Sequence, residues 1–407
     1  SWYTGDYFAG DQYIYSLEQF RNDGHNHPSW DPETVLPAMR DLYKWDGRWV
    51  GVPNDNDGQV MYYRKDILSN SQFQQQFQEE MGYELPNPPQ TIEEYLDVAE
   101  FFDGKDWDND GSSDHGVSMH LKVNAQGMFH FMSWAAPYVV SPENERFWFS
   151  AEDFEPLVNS PGHVAALEDL MELVQYGPEG MISWTLGESW DLFLKGDAVI
   201  TFTWGDLGAL AQDTEESSVK GKIGAAHMPG TMRAYDPIDG QWVEFDEPNK
   251  VGNTTGGSWH GVISTLSDAP HATYDYLAYM ATEENAFWNF TRGWTGVDPG
   301  RTFAFLEPNG TASVEAYAEQ GWNESDVQSY TNAFYNNFTN EHQLPYLMIP
   351  GANRYWRALD VQLNEAVSGQ KSAEEALQTA YENFQKITER RGREQQLRLF
   401  KESLSIE

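Results

Sequence analysis

The sequence predicts an α/β protein of more than one domain. Three observations carry that reading. At 407 residues the chain exceeds one ordinary hydrophobic core. Hydrophobic residues make up 40% of it, enough for sizeable cores. Short apolar runs alternate with helical periodicities along its length.

Taken in order, residues 51–63 read as strand material around the polar turn Asn54-Asp55-Asn56-Asp57. Residues 91–102 read as a helix, with Thr91 as N-cap and Glu94 completing a capping box. From 163 to 176, apolar residues recur at three- and four-residue intervals, which predicts a helix with one buried face. Residues 198–204 read as a short buried strand. Helices are expected over 272–281, 284–290, 355–367 and 372–389, with a charged amphipathic tail from 390 lying on the surface. There is no fixed-period repeat and no low-complexity linker, so the chain is expected to cross between its domains several times.

Composition narrows the function. The chain has no cysteine, which excludes disulfides, cysteine nucleophiles and thiolate metal sites. Its 25 Lys+Arg stand against 64 Asp+Glu, a net charge of −39 that repels nucleic acid, anionic membranes and anionic ligands. No apolar run is long enough to span a membrane, and no basic-then-apolar leader opens the sequence at Ser1. No zinc-protease, nucleophile-elbow or P-loop motif is present. Aromatic residues reach 14%, with 16 Trp; flat indole faces suit the C–H faces of sugar rings.

Several segments together carry a resemblance. They are Asp46-Gly47-Arg48-Trp49-Val50-Gly51-Val52-Pro53, then Met61-Tyr62-Tyr63-Arg64-Lys65-Asp66, then residues 86–95 (PNPPQTIEEY). Further on come Phe193-Leu194-Lys195-Gly196-Asp197-Ala198, Gly256-Gly257-Ser258-Trp259, Ser368-Gly369-Gln370 and Glu374-Glu375-Ala376-Leu377. In this order the chain resembles the family 1 extracellular solute-binding proteins, maltose-binding members included. The resemblance implies a two-lobed periplasmic-binding-protein-like fold of type II, with the ligand cleft between the lobes. It implies a monomeric, non-enzymatic receptor, periplasmic or extracellular and possibly lipid-anchored. Such a receptor closes on an uncharged mono- or oligosaccharide and delivers it to the permease of an ABC importer. The first lobe is expected to hold residues 1–116 and 257–306, the second 117–256 and 307–407. The family layout also implies about 50–70 further residues ahead of Trp2, the size of a βαβ unit, so the sequence is expected to be part of a longer one.

The same resemblance points to Trp356, Asp57, Trp2, Asp6, Tyr138 and Trp204 as ligand contacts. The residues themselves add to that set. Trp204 ends a buried strand, where clefts of α/β sheets open. Trp259 follows Gly256-Gly257, and Gly257 permits close backbone approach. Trp134 adds another aromatic face. Asp57, Asp206 and Glu188 could accept sugar hydroxyls, Asn54 shares the Asp57 turn, and Arg301 could donate. Each has a plainer reading, as core aromatic, turn residue or ion pair. A glycoside hydrolase, or a receptor for a polyol, an osmolyte or a glycerol phosphodiester, is the alternative function.

One local motif points to a metal. Asp106, Asp108, Asp110, the Ser112 carbonyl and Asp114, with Gly111 at the sixth position, match the opening of a calcium loop. Val117 occupies the twelfth position in place of the usual Glu. A structural calcium that staples a loop is the expectation; an acidic Asx turn is the plainer reading.

Overall fold

The computed structural model describes residues 4–9, 13–24, 31–107 and 111–406. Ten strands are described: β1 Lys44–Trp45, β2 Arg48–Trp49, β3 Val52–Pro53, β4 Val60–Arg64, β5 His115–Ser118, β6 Ala198–Thr203, β7 Ile223–Ala226, β8 Thr231–Asp236, β9 Gln241–Asn249 and β10 His260–Gly261. The main sheet has the order β5-β6-β4-β7. Within it β5 and β6 are parallel, and β4 runs antiparallel to both its neighbours. Every residue of β4 and β6 is buried. A strand buried on both faces reads as a continuous apolar run, as Ala198–Thr203 does.

Helices cover this sheet. Ile92–Phe102 packs on β5 and β6, and Leu186–Lys195 lies against the same pair. Glu324–Thr339 packs on β7 and β4. The Ile92–Phe102 helix starts where the sequence predicts: Thr91 Oγ1 accepts from Glu94 N at 3.2 Å, and Glu94 Oε2 accepts from Thr91 N at 3.3 Å. The expected helix at 163 begins two residues earlier, at Pro161, capped by Ser160. The predicted pairs near 272–290 and 355–389 are present as Pro270–Met280, Glu283–Phe290, Ala352–Val367 and Ala373–Arg391.

One finding departs from expectation. Strand β4 was expected in the first lobe, yet it is hydrogen-bonded between β6 and β7 in the main sheet. Its two buried faces and two edges need partners on every side, and only the main sheet supplies them. The amphipathic tail forms the helix Arg393–Ser403, which lies on the surface with one face buried. Its Leu399 and Phe400 are buried. The Phe400 ring lies 5.6 Å from Phe154 and 5.9 Å from Phe149.

Two chain segments run side by side where β3 leads to β4 and where β9 leads to β10. Asn253, fully buried, ties them: its Nδ2 donates to Gln59 O at 2.9 Å and its Oδ1 accepts from Gln59 N at 2.8 Å. Asn337 secures the same point, its Nδ2 donating to Asn253 O and its Oδ1 accepting from Asn253 N.

Truncating Phe400 opens a cavity in this packing. Phe400→Ala is expected to cost about 3 kcal/mol, near the low end for a buried aromatic, read as a lower urea midpoint at unchanged m-value.

Candidate functional site

Three segments converge on one point: the turn after β3, the glycine run before β10 and the loop at Asp298. Asp55, buried, anchors it. Its Oδ1 accepts from Asn56 N at 2.8 Å and from Asp298 N at 2.7 Å. Asp298, fully buried, accepts in turn from Gly205 N through Oδ2 at 2.7 Å. Asn56 Nδ2 donates to the Asp298 carbonyl at 3.2 Å. Tyr43 donates its hydroxyl to the Asp55 carbonyl at 2.6 Å. Asp57 is part-exposed, and its N–H donates to Ser258 Oγ at 2.7 Å.

The glycine run fits tightly around these groups. Gly256 and Gly257 both have positive φ, 112° and 67°. A Cβ on Gly256 would sit 2.8 Å from Trp204 Nε1 and 3.0 Å from the Asp57 side chain. One on Gly257 would sit 2.4 Å from the Tyr346 ring. Only glycine satisfies both the conformation and the approach. Ser258 also holds a positive φ of 57°, which lifts its hydroxyl to Asp57. Trp259, 66% exposed, holds the turn through its carbonyl, which accepts from Asn54 N and Asp55 N at 3.1 Å each.

Trp204, at the end of β6, donates its indole N–H to Thr255 O at 2.7 Å. Behind it lies a histidine pair that the sequence reading missed. The His120 ring stacks on Trp204 with centroids 5.8 Å apart. His130 Nε2 is 3.1 Å from His120 Nδ1, which is also 3.1 Å from Ser189 Oγ. Burial pushes His120 down to about 3 and His130 well below the ordinary histidine value, so both are neutral.

Four carboxyls share the site, Asp55, Asp57, Asp206 and Asp298. Burial is the first cause of a raised pKa at each. Asp57 is pushed up to about 7. Asp206 reaches about 7, with the charge of Asp57 adding to burial. Asp55 and Asp298 are raised well above the carboxylate range by burial and then by their acidic neighbours. Among the described residues no Lys or Arg forms an ion pair with any of the four.

The predicted contacts divide. Asp57, Trp204, Asp206 and Gly257 are brought together, with the backbones of Asn54 and Trp259 beside them. Trp356 is fully buried, its ring 5.2 Å from Tyr346 and 6.4 Å from Phe129. Tyr346 joins it to Gly257. Trp134 lies in the core between Tyr95 and Phe202. Tyr138 gives its hydroxyl to Asp169. Asp6 accepts from Gly351 N at 3.2 Å, at the start of the Ala352–Val367 helix. Arg301 is buried, with Nε donating to Thr34 Oγ1 at 3.0 Å and NH1 to the Ala281 carbonyl. Exposed Glu188 completes the capping box of the Leu186–Lys195 helix. Trp2 lies outside the described residues.

So do Asp108 and Asp110 of the acidic loop. In what remains, Asp114 Oδ2 accepts from Trp107 N at 3.0 Å and Asp106 Oδ2 from Gly111 N at 3.1 Å. Asp114 is buried, and Ser112 is exposed.

Comparison with known proteins bears on the family and the fold. A family model described as bacterial extracellular solute-binding protein matches residues 6–318. No match was found among curated proteins. Among solved structures, the chain is similar to an ABC transporter solute-binding protein of Agrobacterium radiobacter K84 in complex with ribitol. That match has 18% identity, a TM-score of 0.67, and covers 95% of this chain and 83% of the other. It is similar to maltose-bound MalE3 of T. maritima at 18% identity and TM-score 0.64, again covering 95% and 83%. A solute-binding protein of Agrobacterium vitis S4 with bound D-mannitol gives 18% and 0.63, covering 93% and 81%. The fold is therefore the two-lobed α/β fold of these proteins.

The raised carboxyls give a pH test. An ordinary Asp titrates near 3.8 and Asp206 at about 7. Between those values the folded chain holds a proton that the unfolded chain has released, so stability falls as pH rises through that window. In metal-free buffer Asp206→Asn is expected to gain on the parent in urea midpoint as pH rises from 5 to 8. A difference that stays constant with pH would refute this.

Proposed function

We propose, for a chain that belongs to the bacterial extracellular solute-binding protein family, the role of a receptor that captures an uncharged mono- or oligosaccharide and hands it to an ABC permease. The observation that carries this is the meeting of Trp204, Asp57, Asp206 and the Gly256-Gly257 run at the point where the chain segments converge. A sugar presents hydroxyls to carboxylates and a C–H face to an indole. Polyols offer the same hydroxyls, and the ribitol and mannitol of the similar structures belong to that chemistry. Work outside the cytoplasm, as a monomer, follows from the same reading.

The crossing segments on this reading are 54–59, 252–258 and the loop around Asp298. Strand β4 then belongs with the second lobe. Ligand that touches both lobes favours the closed state by its differential affinity. Catalysis is not part of the role. The 106–114 loop is proposed to hold a structural calcium, which would stabilise the fold by linkage.

Titration calorimetry against a panel of neutral saccharides and polyols, with chromatography for product, tests the role. One member of the panel is expected to bind without turnover. Trp259→Ala, at an exposed position, is expected to weaken that binding roughly fivefold, the size of a lost stacking contact of about 1 kcal/mol. Binding of none, or release of product, would sink the reading.

A further inference from the structure

Beneath the proposed sugar site lies a set of oxygens that sugar recognition does not explain. Asp55, Asp57 and Asp298 each offer a carboxylate oxygen, and the three lie within 4.8 Å of one another. Two of these residues are buried almost completely, at 2% and 0% exposure. Each spends one oxygen on backbone N–H groups and keeps the other without a donor: Asp55 Oδ2 and Asp298 Oδ1 receive no hydrogen bond among the described residues. A neutral acceptor beside them is in the same condition. Asn56, 5% exposed, gives its Nδ2 to the Asp298 carbonyl, and its Oδ1 has no donor. Buried acceptors without donors cost free energy.

The basic residue next in sequence does not relieve them. Arg301 sends its guanidinium to Thr34 and the Ala281 carbonyl. Trp204 Nε1 is taken by Thr255 O, and the histidine pair behind it is neutral.

We propose that Asp55, Asp57 and Asp298 form a binding site for a divalent cation of the calcium class, at the junction of the chain crossings. All donors are hard oxygens, which suit calcium or magnesium over thiol- and imidazole-seeking metals. Three protein carboxylates at one point suit calcium, which takes many oxygen ligands in flexible geometry, better than magnesium, which keeps several waters and is bound through one or two carboxylates. Part-exposed Asp57 marks the side from which the ion enters and from which a sugar hydroxyl could reach its open positions. This last point rests on the receptor reading; the ion site itself does not.

Chelator-stripped protein carrying Asp106→Asn and Asp114→Asn, which silence the acidic loop, is titrated calorimetrically with calcium chloride and then with magnesium chloride, in the absence of sugar. One calcium site is expected, with magnesium at least about tenfold weaker. Asp298→Asn is expected to weaken calcium binding at least about tenfold. Asp57→Asn, at a part-exposed position, is expected to do the same, and it decides the matter if Asp298→Asn does not fold. No calcium binding, or calcium binding that Asp57→Asn leaves unchanged, would overturn the site. A null result with sugars leaves this test intact, and a null result with calcium leaves the receptor role intact.

Discussion

One buried carboxylate holds the centre of the molecule together. Asp55 Oδ1 binds the N–H of the next residue and the N–H of Asp298, 243 positions away in sequence. Asp298 passes the constraint on to Gly205 N, at the end of β6. Two side chains thus fix three remote backbones to one another. The position of Trp204 follows from that, and so does the space left for Gly256. A hydrogen bond to a charged group is worth about twice a neutral one, but both acids here are raised in pKa, so these contacts trade charge for geometry. The arrangement is expensive by itself, which is why uncompensated oxygens there are informative where surface acids are not.

The overall charge of −39 and the four acids of the site are different phenomena. Most of the 64 acidic residues lie in water, where their mutual repulsion is screened within about 8 Å at physiological ionic strength. Asp55 and Asp298 have no such relief. In a buried site each added like charge raises the pKa of the next, and the causes run in that direction from Asp57 and Asp206 to Asp298. Composition predicted repulsion of anions. It could not predict that a few acids would be gathered where a ligand or an ion can answer them.

Legibility in the sequence followed physical signals with a local origin. The Thr91–Glu94 capping box and the apolar spacing after His163 are read within a few residues, and both helices are present. The Gly127–Val139 helix gave no such signal: all thirteen residues are buried, so no polar face marks its period, and it contains Pro137. Glu324–Thr339, rich in Asn, Tyr and Thr, gives no clear helical signal because its formers are weak. The site divides in the same way. A turn, a strand end and a glycine pair mark Asp57, Trp204 and Gly257 in the sequence, and the structure brings these three segments together. Asp55 and Asp298 as partners are not legible there, since their bond spans most of the chain. Trp134 and Trp356 show the limit of reading by residue type: both indoles are fully buried, and nothing in a Trp's neighbours tells which way its ring points.

The junction also says how a two-lobed receptor of this kind could bend. Asn253, Gln59 and Asn337 exchange bonds through fully buried amides. Breaking any of these during closure would strand a buried polar group, so this knot has to remain intact in the open and closed states. Motion must then be absorbed beside it. The 256–258 run is suited to that, since it already holds three successive positive φ angles and two of its residues are glycine. It touches Trp204 and Asp57 on one side and Tyr346 on the other. A change of dihedral there would move Trp204 and Asp57, the proposed sugar contacts, together with the proposed crossing segments, which is the coupling that hinge closure on a ligand requires.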